Sequence, residues 1–245
     1  MPNILLVGAT SAIAQALAHE FAARGANLVL WGRSPERLQT LGADLRIRWG
    51  GKVETETVDV NACEFHNAKF DRAVRAVDGL DAAVFCHGSL SNQGECEKDF
   101  SQAEKQLRIN CLSVISLLTV SANYFQMRRK GTIVAISSVA GDRGRQSNYV
   151  YGTAKAALNV FLQGMRNRLH SSGVKVITVK PGFVDTPMTG HLKKGVLFAS
   201  PSRVSQDILR AIELGRPVVY TPWFWRYIML IIRLIPETLF QRLKL

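Results

Sequence analysis

Seven short apolar runs punctuate the chain, at residues 3–8, 27–31, 53–58, 82–87, 132–137, 174–179 and 217–220. Most are continuously hydrophobic, which predicts strands covered on both faces. Only Val53-Glu54-Thr55-Glu56-Thr57-Val58 alternates apolar with polar residues, and that pattern belongs at a sheet edge. Between the runs apolar residues recur at helical spacing, as in Tyr151, Leu158, Phe161, Leu162, Met165 and Leu169. For this helix Ser147 is the expected N-cap and Gly173 the stop. Strand and helix signals therefore alternate along the chain, which predicts repeated βα units around a parallel sheet, an α/β fold.

No repeat or Pro/Gly-rich linker interrupts the pattern, and 245 residues at 47% hydrophobic composition suit one domain. The segment Met1–Gly8 lacks a basic start, a long apolar stretch and a small-residue cleavage site. It reads as the first strand, and a cytoplasmic location is expected. Cys63, Cys86, Cys96 and Cys111 form no C-x-x-C pair and have no histidine at zinc spacing. They are expected as reduced, mostly buried small hydrophobes. The histidines show no ligand spacing either, so no metal is expected; His191 alone lies in a segment expected to overhang the site. The formal charge of +12 concentrates late, with nine Lys/Arg against three Asp/Glu in residues 193–245, a net +6. No nucleic-acid reading motif accompanies it, so nucleic acid is set aside as a partner.

The chemistry-bearing residues are Ser138, at the end of an apolar run, and Tyr151 and Lys155 four residues apart on the following helix. That spacing puts phenol and ammonium on one face. An acid/base phenol working near neutral pH needs its pKa lowered by roughly 3 units, about 4 kcal/mol. A fixed charge at ~6 Å with an effective dielectric of ~20 supplies about 2.8 kcal/mol, so Lys155 is expected to depress the phenol.

Gly8-Ala9-Thr10-Ser11-Ala12-Ile13-Ala14 follows the first strand and opens a helix, where backbone N–H groups and the helix dipole suit a pyrophosphate. With alanines at positions 12 and 14, an ordinary tight strand-to-helix turn remains the other reading. Arg33 follows the second strand, with Ser34 and Pro35 opening the next helix. An arginine there accommodates a 2′-phosphate where a carboxylate would bind a free ribose hydroxyl; a solvated surface arginine is the alternative.

Together these residues resemble the short-chain dehydrogenase/reductase family, over nearly the whole chain and in the right order. The resemblance implies a single-domain, doubly wound Rossmann fold with strand order 3-2-1-4-5-6-7. It also implies hydride transfer between NADP(H), preferred over NAD(H), and a carbonyl or secondary alcohol. Asn110, Ser138, Tyr151 and Lys155 match the family's catalytic positions. Asp59 matches the residue that holds the adenine, and Gly88 the glycine after the fourth strand. Pro181, Gly182, Val184 and Thr186 match the segment that meets the nicotinamide, ahead of a substrate loop at about 183–200. With Gly8, Thr10, Ser11, Ile13, Arg33, Tyr151 and Lys155 these make up the cofactor set. A homodimer or homotetramer is implied. Two departures stand out: the family's other two glycines are alanines here, and Phe85-Cys86-His87-Gly88 lacks the amides usual before that glycine. A non-catalytic dinucleotide-binding protein is the rival reading.

Residues 1–222 are thus expected to form the reductase body and 223–245 an amphipathic tail of the same domain. The stretch 223–235 is apolar and aromatic, but it spans thirteen residues and contains Arg226 and Arg233, too short and too charged to cross a bilayer. The two arginines share one helical stripe. Pro236 restarts a short helix with Leu239, Phe240 and Leu243 beside Arg242 and Lys244. Such a tail suits peripheral contact with the inner face of the cytoplasmic membrane, with packing against the body or across a dimer as the other reading. This ending is similar to that of the decaprenylphosphoryl-2-keto-ribose reductase branch, which implies a polyprenyl-phosphate-linked keto-sugar as substrate; a free small ketone or steroid-like compound is the alternative.

Overall fold

The computed structural model describes every residue except 91, 191–192 and 244–245. Its chain order is β1 (Asn3–Val7), α1 (Ala12–Ala23), β2 (Asn27–Gly32), α2 (Pro35–Trp49), β3 (Val53–Thr57), α3 (His66–Ala76) and β4 (Ala82–Phe85). There follow α4 (Gln93–Lys98), α5 (Phe100–Leu107), α6 (Ser113–Arg128), β5 (Gly131–Ile136), α7 (Tyr149–His170) and β6 (Val174–Pro181). The chain finishes with β7 (Phe183–Val184), β8 (Phe198–Ala199), α8 (Pro201–Leu214), β9 (Val218–Thr221), α9 (Trp225–Leu234) and α10 (Glu237–Phe240).

Seven strands form one parallel sheet, ordered β3-β2-β1-β4-β5-β6-β9. The expected order holds; β7 and β8 pair separately inside the 183–200 segment, so the sheet's seventh strand is β9. The alternating run 53–58 supplies β3 at the edge, as its pattern required. Successive residues of β1 face opposite layers. Ile4 and Leu6 join Leu17, Leu38 and Ile208 of α1, α2 and α8. Leu5 and Val7 join Phe70, Leu117 and Leu158 of α3, α6 and α7. Helices cover both faces, which is why the central strands read as continuous hydrophobic runs.

One local expectation fails. α7 begins at Tyr149 with Asn148 in the cap position and no side-chain cap, while Ser147 lies outside the helix and exposed. The cysteines are free, Cys96 and Cys111 buried and Cys63 and Cys86 partly so. Among the described residues no helix is long and apolar enough to cross a membrane.

Candidate active site

The sequence-selected residues gather at the carboxyl ends of the parallel strands, where ligands bind in open α/β sheets. After β1 the chain turns at Gly8 with φ +77°, and a Cβ there would stand 2.7 Å from the His87 backbone nitrogen. Glycine is thus demanded by both backbone angle and the approach of the chain leaving β4. Ser11 caps α1, its hydroxyl accepting from Ala14 N at 3.4 Å. The first N–H groups of α1, Ile13 among them, have no intrahelical acceptors. Residues at 12 and 14 therefore need not be glycine for the helix to present them. The Thr10 carbonyl accepts from Gln15 at 2.9 Å and from the Arg37 guanidinium at 3.0 Å. Arg33 stands exposed at the end of β2. Asp59, exposed beyond β3, accepts from Asn61 N at 2.9 Å through Oδ1.

Gly88 packs against Asn110; a Cβ there would lie 2.7 Å from Asn110 Oδ1 and 3.7 Å from Lys155 Nζ. Asn110 is fully buried in a single π-helical turn, Arg108–Leu112, between α5 and α6. Its side chain donates to Ser89 O (2.9 Å) and Gln106 O (3.1 Å) and accepts from Ser89 N (2.9 Å). Such bulges recur at functional sites. This one turns Asn110 onto the loop after β4, so that loop is held by a buried amide although Phe85-Cys86-His87-Gly88 has none. His87 Nε2 lies 3.1 Å from Ser113 Oγ.

Ser138 Oγ accepts from Ala140 N at 3.1 Å, capping a short 3-10 turn, Val139–Gly141. With an acceptor site so occupied, its O–H is free to donate. Lys155 is buried, 3% exposed; its Nζ donates to Ile136 O at 3.0 Å and sits 5.7 Å from the Tyr151 ring centre. Tyr151 corrects the expectation. Its phenol is pushed up to about 12, because burial disfavours the phenolate more than the Ser138 hydroxyl favours it. Lys155 is itself brought down to about 8 by burial, and one of its N–H groups goes to the Ile136 carbonyl.

Pro181 ends β6, and Gly182 N donates to Thr221 O at 3.0 Å. Val184 is buried in β7, and Thr186 opens a turn through its N–H to Thr189 Oγ1 at 3.3 Å. A Cβ on Gly182 would overlap the Trp225 indole, so the first turn of α9 lies directly on this segment. Trp225 and Met229 form a small core with Val139, Phe183 and Phe224. Arg143, from the loop after Ser138, donates to the carbonyls of Ile232 (2.7 Å), Arg233 (3.2 Å) and Ile235 (2.6 Å) at the end of α9. It also pairs with Glu237 at 2.8 Å and lies 3.7 Å from the Phe240 ring centre. Buried Asp142 ties the same loop to Lys180 at 2.5 Å and to the Tyr220 hydroxyl at 2.7 Å.

His191 and Lys244 lie outside the described residues. Sequence reasoning missed Asn159, Asp142, Arg143 and Arg37. Asn159 continues the four-residue stripe of Tyr151 and Lys155; it accepts from Ser137 Oγ at 2.6 Å and donates to Gly141 O at 3.2 Å. Its spacing was a usable signal. Arg143 carried none, since its acceptors stand some ninety positions away.

The sequence matches the short chain dehydrogenase profile over residues 2–196. An uncharacterised oxidoreductase of Mycobacterium tuberculosis is 33% identical over 98% of this chain and 96% of its own length. A very-long-chain 3-oxoacyl-CoA reductase of Podospora anserina is 27% identical over 90% and 67% respectively. A short-chain dehydrogenase from Sphingobium yanoikuyae, solved in complex with NADPH, superposes with a TM-score of 0.83 at 26% identity, covering 94% of this chain and 92% of that one. The strand order, the turn at Gly8 and the matched residues agree: this chain belongs to the short-chain dehydrogenase family and is an oxidoreductase of that type.

Proposed function

We propose that the protein reduces a carbonyl group to an alcohol with NADPH. The observation that carries this reading is the convergence of Ser138, Tyr151 and Lys155, with a phenol that holds its proton at neutral pH. NADPH, when bound, would supply the hydride for the carbonyl carbon. Tyr151 would give its phenolic proton to the carbonyl oxygen, and the Ser138 hydroxyl would donate a hydrogen bond to that oxygen. Lys155 would hold the nicotinamide ribose, and Asn110 would support a water relay that returns a proton to Tyr151. Burial keeps the phenol protonated at neutral pH, the form that donates when a carbonyl is reduced.

Two experiments test this reading. In the first, kcat/KM for reduction, which reports free-enzyme ionisations, is measured against pH. Lys155 is depressed to about 8, so it is charged below that pH and neutral above it. The rate should be level below and decline as pH rises through about 8; a flat profile to pH 10 would contradict a role for the charged form. In the second, Arg33→Ala removes charge-assisted hydrogen bonds to a 2′-phosphate worth about 1.5–3 kcal/mol. NADPH should weaken roughly ten- to a hundredfold and NADH should be spared. Equal losses for both nucleotides would overturn the preference for NADPH.

For the substrate we favour a carbonyl compound carried on a lipid, the polyprenyl-phosphate-linked keto-sugar being the finer form of this reading. The composition of the tail supports it, as does the likeness to the very-long-chain 3-oxoacyl-CoA reductase of Podospora anserina. NADPH oxidation with lipid-linked and with small soluble ketones separates the alternatives. A non-catalytic dinucleotide binder would hold NADPH and oxidise none with either.

A further inference from the structure

α9 has two apolar faces, and only one is used. Trp225 and Met229, 3% and 1% exposed, face the body. On the opposite side Tyr227, Leu230, Ile231 and Leu234 are 56, 51, 65 and 72% exposed, on one helical stripe. Trp223, in the turn just before the helix, is 64% exposed and extends that stripe with its ring 5.9 Å from that of Tyr227. Arg226 and Arg233, both exposed, border that stripe along one side. A helix on a water-facing surface presents polar residues outward; a contiguous apolar face there marks an interaction site. The helix cannot roll to hide it. Arg143 holds three carbonyls at its end, and Asp142 fixes the loop that carries Arg143.

We propose that this outer face is a docking surface for an anionic bilayer. The pattern suits that occupant in three respects. Aliphatic side chains form the middle of the stripe, for the acyl boundary, while Trp223 and Tyr227 at one end are the residues that settle at headgroup level. Arg226 and Arg233 can keep their stems on the apolar surface and their guanidinium groups in the phosphate layer. The acidic residue of the described tail, Glu237, has its charge paired with Arg143 at 2.8 Å. Because the inner face of α9 rests on Gly182 and on Val139, beside Ser138, docking would bring the mouth of the candidate site to the leaflet. The surface stands on its own geometry and does not depend on the reductase reading.

The test is flotation of the full-length protein with vesicles of phosphatidylcholine containing a minority of phosphatidylglycerol. The expected result is binding at low salt, release at high salt, and weak binding to pure phosphatidylcholine. Ile231→Glu with Leu234→Glu should reduce binding by about a hundredfold at low salt. Arg226→Glu with Arg233→Glu should reduce it about tenfold or more on the anionic vesicles alone. Both variants should keep NADPH binding and the thermal midpoint of the parent, since none of the four side chains supports the body. Failure of the parent to float would overturn the proposal, as would flotation indifferent to the Ile231 and Leu234 changes. So would a dimer, seen by light scattering, that those same changes convert to monomer without any effect on vesicles, because the face would then belong to a second copy.

Discussion

Replacing Tyr151 with phenylalanine is expected to lower kcat/KM for carbonyl reduction by roughly 10²–10⁴-fold while leaving NADPH affinity nearly unchanged. The substitution removes one oxygen and keeps the ring, so the packing beside Lys155, 5.7 Å from the ring centre, survives. What disappears is the proton that must reach the carbonyl oxygen as hydride arrives at carbon. At 1.36 kcal/mol per tenfold, the loss corresponds to about 3–5 kcal/mol of barrier. Ser138 cannot replace it: a hydroxyl hydrogen-bonds the developing charge but is far too weak an acid to discharge it. Stopped-flow measurement of hydride transfer with saturating NADPH checks the step directly, and retained full activity would refute the assignment of the proton donor.

Gly141→Ala is expected to cost both stability and rate. A Cβ at Gly141 would stand 2.6 Å from the carbonyl carbon of Lys155, 2.7 Å from Asn159 Nδ2 and 2.8 Å from Ala156 N. Two of these atoms are backbone of a long buried helix and cannot yield cheaply, so the loop must move. Overpacking of this kind costs about 1–3 kcal/mol, or some 2–4 °C of Tm per kcal/mol at this chain length. The loop also carries Ser138, and a displacement of about 1 Å at a reacting group costs around 10²-fold in rate. Gly144→Ala is the control, because a Cβ there meets nothing within 4 Å; it should change neither Tm nor kcat. If both variants behaved alike, contact between this loop and α7 would not be what positions Ser138.

The strands and their edge were legible because burial on both faces writes itself into composition: β1, β2 and β5 are nearly all apolar, and β3 alternates. The candidate site was legible to the extent that it is local, as with Tyr151 and Lys155 on one helix. Features that depend on distant segments were not. The π-helical turn at Asn110 sits in a stretch that reads as unbroken helix from α5 into α6. β7 and β8 are two residues each, below the length at which alternation means anything. Spacing placed Lys155 beside the Tyr151 ring but carried no sign of the desolvation that raises the phenol. The tail was readable as amphipathic, with bilayer and body as rival coverings. The structure shows the body against one apolar face and leaves a second face outward, and no one-dimensional pattern assigns two faces to two neighbours.

The clamp made by Arg143 bears on how the protein can be cut and rearranged. A chain ended at residue 222 would uncover Gly182 and Val139, and would leave a guanidinium only 14% exposed without the carbonyls and the carboxylate it now holds. The same loop reaches back through Asp142 to β6 and β9, so the damage would run inward from the cut. The segment after 222 is therefore not a portable anchor that could be grafted elsewhere or trimmed for convenience. It packs on Gly182 and Val139, and any shortened or fused version must keep α9 seated there.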